Sequence, residues 1–133
     1  MDRPFHGAKL FLTQGDRLLT YLRDDRPDIP FPAHWDLPGG GREGRESPVA
    51  CALRELHEEF GLTLPPARLT GRSFPSVQGP GMMSWLFSGC LTPQEIAAIR
   101  FGDEGQRWQM MPVATFLAHP RAIPHFQRWI TAR

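Results

Sequence analysis

The 133-residue chain has two cysteines, a single tyrosine and almost no net charge. Cys51 and Cys90 allow at most one intramolecular disulfide, which excludes a small disulfide-stapled scaffold. Fifteen basic against 14 acidic residues leave a formal charge of +1. That balance offers no broad electrostatic capture of a nucleic-acid duplex or an anionic membrane. No stretch approaches the roughly 18 apolar residues of a membrane-spanning helix. The opening Met1-Asp2-Arg3-Pro4 lacks the apolar core of a secretory signal. These absences predict a soluble, cytoplasmic protein. Proline and glycine are in excess, at 14 and 13 residues, yet an apolar content of 41% is too high for disorder. One domain over residues 1–133 is expected.

Residues 5–13 read as a strand, followed by a turn at Gln14-Gly15-Asp16 and a second strand over 17–23. Pro27, Pro30 and Pro32 make 24–34 a loop, because proline serves neither ladders nor helix interiors. The loop leads through Trp35-Asp36-Leu37-Pro38 into Gly39-Gly40-Gly41, a short strand running into a glycine-rich turn. Ser47 as N-cap, Pro48 at the first helical position and Gly61 as the stop define a helix over 48–60. Segments 68–75 and 82–91 read as strands joined by a Gly/Pro turn. Thr92 caps a short helix over 93–99, and 107–113 is a further strand. The tail from Thr115 holds one or two short helices, interrupted by Pro120 and Pro124. This order predicts an α/β (α+β) fold.

The helix over 48–60 carries its charges in an unfavourable place. At 100° per residue, Leu53, Leu56 and Phe60 fall within roughly 40° of Val49, an apolar stripe. Glu55, Glu58 and Glu59 lie between about 180° and 280°, on the face opposite that stripe. Glu55 neighbours the other two at i+3 and i+4, each like-charge pair costing roughly 0.2–0.5 kcal/mol. All three also sit near the helix C-terminus, where the dipole disfavours negative charge. A solvated acidic face would carry such residues without function, and Arg54 would soften it through an i+4 contact to Glu58. Carboxylates held on one rigid face also make an oxygen-ligand site for a hard divalent cation.

The surrounding residues favour the second reading. From Gly40, five residues lead to Glu46, and seven more to Arg54-Glu55-Leu56-His57-Glu58-Glu59-Phe60-Gly61-Leu62. This resembles the Nudix box, Gly-x5-Glu-x7-Arg-Glu-U-x-Glu-Glu-x-Gly-U with U a bulky aliphatic, at every specified position from 40 to 62. Seven fixed identities at ordinary residue frequencies coincide by chance with odds on the order of 10⁻⁸ to 10⁻⁹. The resemblance implies a mixed β-sheet sandwiched between α-helices, and hydrolysis of a diphosphate linkage joining a nucleoside to another group. It implies Mg²⁺ (or Mn²⁺) as cofactor. Glu55, Glu58 and Glu59 would be the metal-binding carboxylates, and Gly40 would add its backbone carbonyl. Arg54 would orient Glu55, and Glu46 would hold the loop to the helix. Asp103-Glu104-Gly105-Gln106, before Trp108, is similar to the segment by which MutT-type members add one more glutamate. Glu104 is the candidate fourth carboxylate, with Asp103 its rival. Glu55 and Glu104 both stand as candidates for the general base. The sequence departs from the common pattern ahead of Glu46, where Gly44 is followed by Arg45, so the loop turn is expected to differ locally.

A nucleobase needs a flat apolar partner. Phe31, Trp35, Phe74 and Trp85 are the substrate-contact candidates, with Trp108 a further nearby aromatic and Arg23 a candidate phosphate contact. Each has a plain alternative as core packing or as a strand-end charge. The five histidines show no metal-ligand spacing. Cys51 reads as buried under the glycine loop, and Met82-Met83 as packing. No residue in 116–125 matches the MutT-type asparagine that reads an oxidised guanine. The resemblance favours MutT-like hydrolysis of a nucleoside triphosphate, oxidised dNTPs included, or of another nucleoside diphosphate derivative. An ADP-ribose-type diphosphatase is the alternative, on a faint likeness at Pro75–Pro80. Dinucleoside polyphosphates are disfavoured, because Tyr21 is the only tyrosine. A nucleotide-sensing module without catalysis is the reading of another class, although such modules usually lose box glutamates. The expected partner is a small nucleoside phosphate, bound by a monomer or homodimer.

Overall fold

A computed structural model describes residues 4–132, so the reading placed on Met1–Arg3 lies outside the described residues. β1 (Phe5–Gln14) is the axis of a mixed seven-stranded sheet. It runs parallel to β6 (Met83–Cys90), in register from Gly7↔Ser84 to Thr13↔Cys90. On its other edge β1 pairs antiparallel with β2 (Arg17–Leu22) through Thr13 and Gln14. The same edge pairs with β4 (Gly39–Gly41) through Gly7, Ala8 and Lys9. β2 continues to β3 (Trp35–Asp36) and to β7 (Arg107–Pro112). β5 (Thr70–Pro75) pairs with β6 as the last strand of the path.

Two cores lie on the two faces of this sheet, divided by strand alternation. Leu10, Leu12, Leu19 and Tyr21 face α1 (Pro48–Phe60), meeting Leu56 and Phe60. Phe11, Leu18 and Leu86 face the other way, toward α3 (Val113–Ala118) and α4 (Pro124–Ala132), meeting Phe116, Phe126 and Ile130. The expected sheet between helices is therefore present. A short α2 (Pro93–Ala97) is closed by a capping box between Thr92 and Glu95. No helix among the described residues is long and apolar enough to cross a membrane.

α1 starts and stops where its signals lie. The Ser47 side chain accepts a bond from Ala50 N at 3.2 Å. Gly61, at φ 68°, donates its N–H to His57 O. Three local readings need correction. Residues 66–68 form a 3₁₀ turn, so the strand opens at Thr70, because Pro65 and Pro66 cannot join a ladder. Gly39–Gly41 is not a free turn but a strand on β1. Pro124 does not interrupt the last helix but opens it, where its missing N–H costs nothing.

Candidate active site

The packing of α1 decides the geometry. Its fully buried residues are Cys51, Ala52, Leu56 and Phe60, with Glu59 only 7% exposed. The helix therefore turns the arc centred between Glu59 and Ala52 toward the sheet and the β4 glycines. Val49 and Leu53 become a half-buried flank. This corrects the expectation that the three glutamates lie opposite the core: Glu59 is inside, Glu55 half-buried at the edge, and only Glu58 is exposed.

Each carboxylate has a distinct environment. Glu59 Oε1 accepts the backbone N–H of Gly39 at 2.8 Å. Burial pushes its pKa up to about 8 against the help of Lys9 and that hydrogen bond, and Asp36 and Glu55 add to the rise. Burial likewise raises the Glu55 pKa, opposed by Arg54. Glu55 packs directly on Gly40: a Cβ there would stand 2.7 Å from its carboxyl carbon. The departure at Gly44-Arg45 is accommodated by Gly44 at φ 54°, with Glu43 N donating to Glu46 Oε1 at 2.8 Å.

Arg54 ties loop and helix together. Its Nε donates to Glu46 Oε2 at 2.6 Å, and its Nη2 to Glu46 Oε1 at 3.1 Å and Gly41 O at 2.9 Å. Its Nη1 reaches Glu55 Oε1 at 3.0 Å and Glu58 Oε2 at 3.1 Å. The hydrogen bonds from Arg54 hold Glu46 below the usual carboxylate range. One guanidinium thus faces three box carboxylates, so the like-charge repulsion along the helix is partly offset.

Glu55, Glu58 and Glu59 line a cavity of about 220 Å³ with Gly102, Asp103 and Glu104. The loop is brought there by backbone bonds from Arg100 N to Phe60 O and from Gly102 N to Glu59 O, each 2.9 Å. Asp103 and Glu104 share this cavity, and both are exposed. Gly40 does not line it. Its carbonyl accepts from the Cys51 thiol at 3.6 Å and lies against Gly7, where a Cβ would meet it at 2.5 Å. Strand pairing to β1 turns it there, so the missing side chain of Gly40, not its carbonyl, is what the geometry ties to the carboxylates. Cys51 is buried beneath the glycines, its thiol pushed up to about 11 by burial.

The donor set suits a hard divalent cation in kind: clustered carboxylate oxygens, two of them with raised pKa, and a single guanidinium as direct counter-charge. Among the described residues no three acidic, histidine or cysteine groups converge as a preformed metal site. Arg54 and Gly39 N occupy carboxylate oxygens that a cation would share.

A second cavity of about 170 Å³ begins at Gly40 and Gly41, on the α4 side, between Lys9, His125, Phe126 and Trp129. Trp85 lines it and stacks on Phe87, centroids 5.7 Å apart. Phe74 instead stacks on the back of Trp129, centroids 5.0 Å apart. Phe31 packs on His34 and His125 outside the cavity. Trp35 is 6% exposed in the core. Trp108 packs against the α1-side core. Arg23 is occupied by Asp36 at 3.1 Å and Pro30 O at 2.9 Å. Sequence reasoning passed over Lys9, Asp36, Phe126 and Trp129. Only the last two carried a signal, the apolar i, i+3 spacing of a helix that packs on the sheet.

A family profile described as the NUDIX domain matches residues 5–131. The chain belongs to the Nudix family. Over 57 residues, 43% of its length, it is 46% identical to an RNA pyrophosphohydrolase of Acidiphilium cryptum. Over 57 residues it is also 37% identical to the human diphosphoinositol polyphosphate phosphohydrolase 3-alpha. Each match covers 34% of the relative, so this Nudix chain aligns with about a third of the length of these curated proteins. Among solved structures it is similar to a MutT protein from Methanosarcina mazei Go1, with TM-score 0.76 and 18% identity over 99% of this chain and 94% of that one. It is also similar to the NUDIX domain of Shewanella oneidensis NrtR complexed with ADP ribose, with TM-score 0.68 and 22% identity over 100% and 88% of the two chains. At these identities the structural likeness shows the Nudix fold alone.

Proposed function

We propose that this Nudix chain, as one domain over residues 1–133, is a pyrophosphohydrolase that splits a diphosphate linkage in a small nucleoside phosphate. A nucleoside triphosphate is the favoured substrate, and Mg²⁺ or Mn²⁺ the cofactor. The observation that carries this reading is one cavity lined by Glu55, Glu58, Glu59 and Glu104, backed by a glycine that leaves room only for Glu55. A bound divalent cation supplies neutralisation of the diphosphate and acidification of water. Glu58, Glu59 and Glu104 would hold the cation, and Glu55 would accept the proton from the attacking water. Glu55 is the better acceptor than Glu104 because Arg54 orients it at 3.0 Å, whereas among the described residues no hydrogen bond or ion pair fixes Glu104. Arg54 and Glu46 keep loop and helix in register. The cavity between Trp85 and Trp129 takes the base by stacking, a sequence-tolerant contact worth about 1–3 kcal/mol.

The test is phosphate and pyrophosphate release across normal and oxidised dNTPs, ADP-ribose and diadenosine polyphosphates, with and without Mg²⁺. Metal-dependent turnover of a nucleoside triphosphate supports the reading. ADP-ribose as the preferred substrate replaces it with the diphosphatase alternative. Nucleotide binding without any turnover replaces it with a sensor.

A further inference from the structure

Lys9 is the only lysine in the chain, and the chemistry above gives it no task. Its side chain, 17% exposed, spans from β1 to the turn before β4. Nζ donates to both oxygens of Asp36, at 3.1 and 3.3 Å, and to the carbonyls of Leu37 at 3.2 Å and Gly39 at 3.0 Å. It also stands 5.5 Å from the ring centre of Phe126 on α4. Its partner Asp36 is 1% exposed. That carboxylate also accepts the Tyr21 hydroxyl at 2.9 Å, Arg23 Nη1 at 3.1 Å and its neighbour Leu37 N at 2.7 Å.

Asp36 does not need Lys9 for neutrality, because Arg23 already balances its charge. A second buried cation brings little net stability, since desolvation cancels most of the attraction. What Lys9 does that Arg23 does not is hold two backbone carbonyls of the Leu37-Pro38-Gly39 turn. Gly39 is then held from both sides. Its carbonyl accepts from Lys9, and its N–H donates to Glu59 Oε1 at 2.8 Å. It sits at φ +126°, pressed so closely on β1 that a Cβ would lie 2.1 Å from Ala8 O. The next residue, Gly40, is the one against which Glu55 rests.

We propose that Lys9 is a positioning residue: a clamp on the Leu37–Gly39 carbonyls that sets the glycine backbone from which Glu59 and Glu55 take their places. This rests on the functional reading above, in which those two carboxylates serve the cation and the water. The clamp makes a prediction opposite in sign to simple electrostatics. Removing a cation near carboxylates draws a divalent metal in more tightly. Removing a clamp lets the carboxylates drift and weakens metal binding, as loss of a supporting contact typically does by 10–100-fold.

The experiment compares the intact chain with Lys9→Met and with Lys9→Met/Asp36→Asn, which restores the charge of the buried cluster and keeps the proposal testable if the single variant unfolds. Mn²⁺ affinity is read by electron paramagnetic resonance, melting temperature by circular dichroism, and kcat and KM on the best substrate of the panel. The clamp is supported if both folded variants bind Mn²⁺ tenfold or more weakly, with kcat falling at least tenfold and KM changing less than threefold. It is overturned if a variant that melts like wild type binds Mn²⁺ within twofold of wild type, or more tightly. Should the wild type bind Mn²⁺ yet hydrolyse nothing, the functional reading falls while the Mn²⁺ comparison still decides the clamp. A wild type that binds no Mn²⁺ overturns both.

Discussion

Replacing Gly40 by alanine separates the site from the fold. The new Cβ would stand 2.7 Å from Glu55 Cδ and 2.8 and 2.9 Å from its two oxygens. Ordinary non-bonded contact needs about 3.5 Å, so the carboxylate must retreat by roughly 0.6–0.8 Å. Gly40 has no left-handed φ, so alanine fits its backbone, and the group displaced is the far end of a flexible side chain. The stability cost should therefore stay near 1 kcal/mol, a few degrees of melting temperature for a domain this size. Catalysis tolerates far less, since a misplacement near 1 Å costs about 10²-fold. Gly39→Ala is the contrast: its Cβ would meet Ala8 O at 2.1 Å and Lys9 Cα at 2.7 Å, both backbone, at φ +126°. That variant should lose more than about 3 kcal/mol, an outsized effect for one residue. Metal-dependent turnover and thermal melting of the two variants are the measurements. A folded Gly40→Ala protein with kcat within threefold of wild type would refute the reasoning, because Glu55 would then not need its place.

Glu58→Gln should abolish metal-dependent turnover while changing stability by less than about 0.5 kcal/mol, because the relieved repulsion and the lost i,i+4 pair with Arg54 are of similar size; a loss of several degrees in melting temperature contradicts this. Glu59 gives a pH signature in metal-free protein. Its folded pKa, about 8, exceeds the ordinary 4.5, so the folded state keeps a proton that the unfolded chain has lost. Stability from this group is complete below pH 4.5 and falls as pH rises toward 8, by up to about 1.4 kcal/mol per unit. Urea melts of Glu59→Gln should lack that decline, and an unchanged slope counts against it. Glu95 behaves oppositely: its bidentate pair with Arg68 lowers its pKa to about 2. Its contribution is present above pH 4.5 and lost as pH falls through 2, and Glu95→Ala should cost about 1 kcal/mol at pH 7 and progressively less as pH falls to 2 and below.

The parts of the fold readable from sequence are those decided within a few residues. Ser47, Pro48 and Gly61 bound α1 because caps and backbone preference act locally. Leu10, Phe11 and Leu12 announce a strand buried on both faces, and the structure assigns them to opposite cores. The rotation of α1 was not local. The stripe of Val49, Leu53, Leu56 and Phe60 points one way, but Cys51 and Ala52 are small enough to let the helix settle on the β4 glycines. The docked helix therefore buries Glu59 and leaves Val49 at the flank. The place of Arg23 is non-local for the same reason. It is fixed by Asp36, and nothing in the run Trp35-Asp36-Leu37 says that Asp36 is buried beneath Lys9, Tyr21 and Arg23.

The buried Glu59 and the buried Asp36 belong to one arrangement. The glycine strand can lie flat on β1 only because Gly39 has no Cβ, and it can approach α1 only because Gly40 has none. That closeness brings a helix carboxylate to the Gly39 N–H, and it removes water from a group that would otherwise stay ionised. The ionised carboxylates beside it, Glu55 and Asp36, need counter-charges of fixed position. Arg54 supplies one from the helix side, bonded to Glu46 and Gly41 O. Lys9 supplies the other from the sheet side, bonded to Asp36 and Gly39 O. The two cations grip the glycine strand at its two ends, Gly41 and Gly39, and leave Gly40 between them facing Glu55. A single cation could neutralise as much charge, but it could not fix both ends of the strand. The near-zero net charge of the chain therefore conceals opposed charges placed by backbone contacts, and the glycine excess is what lets those contacts form.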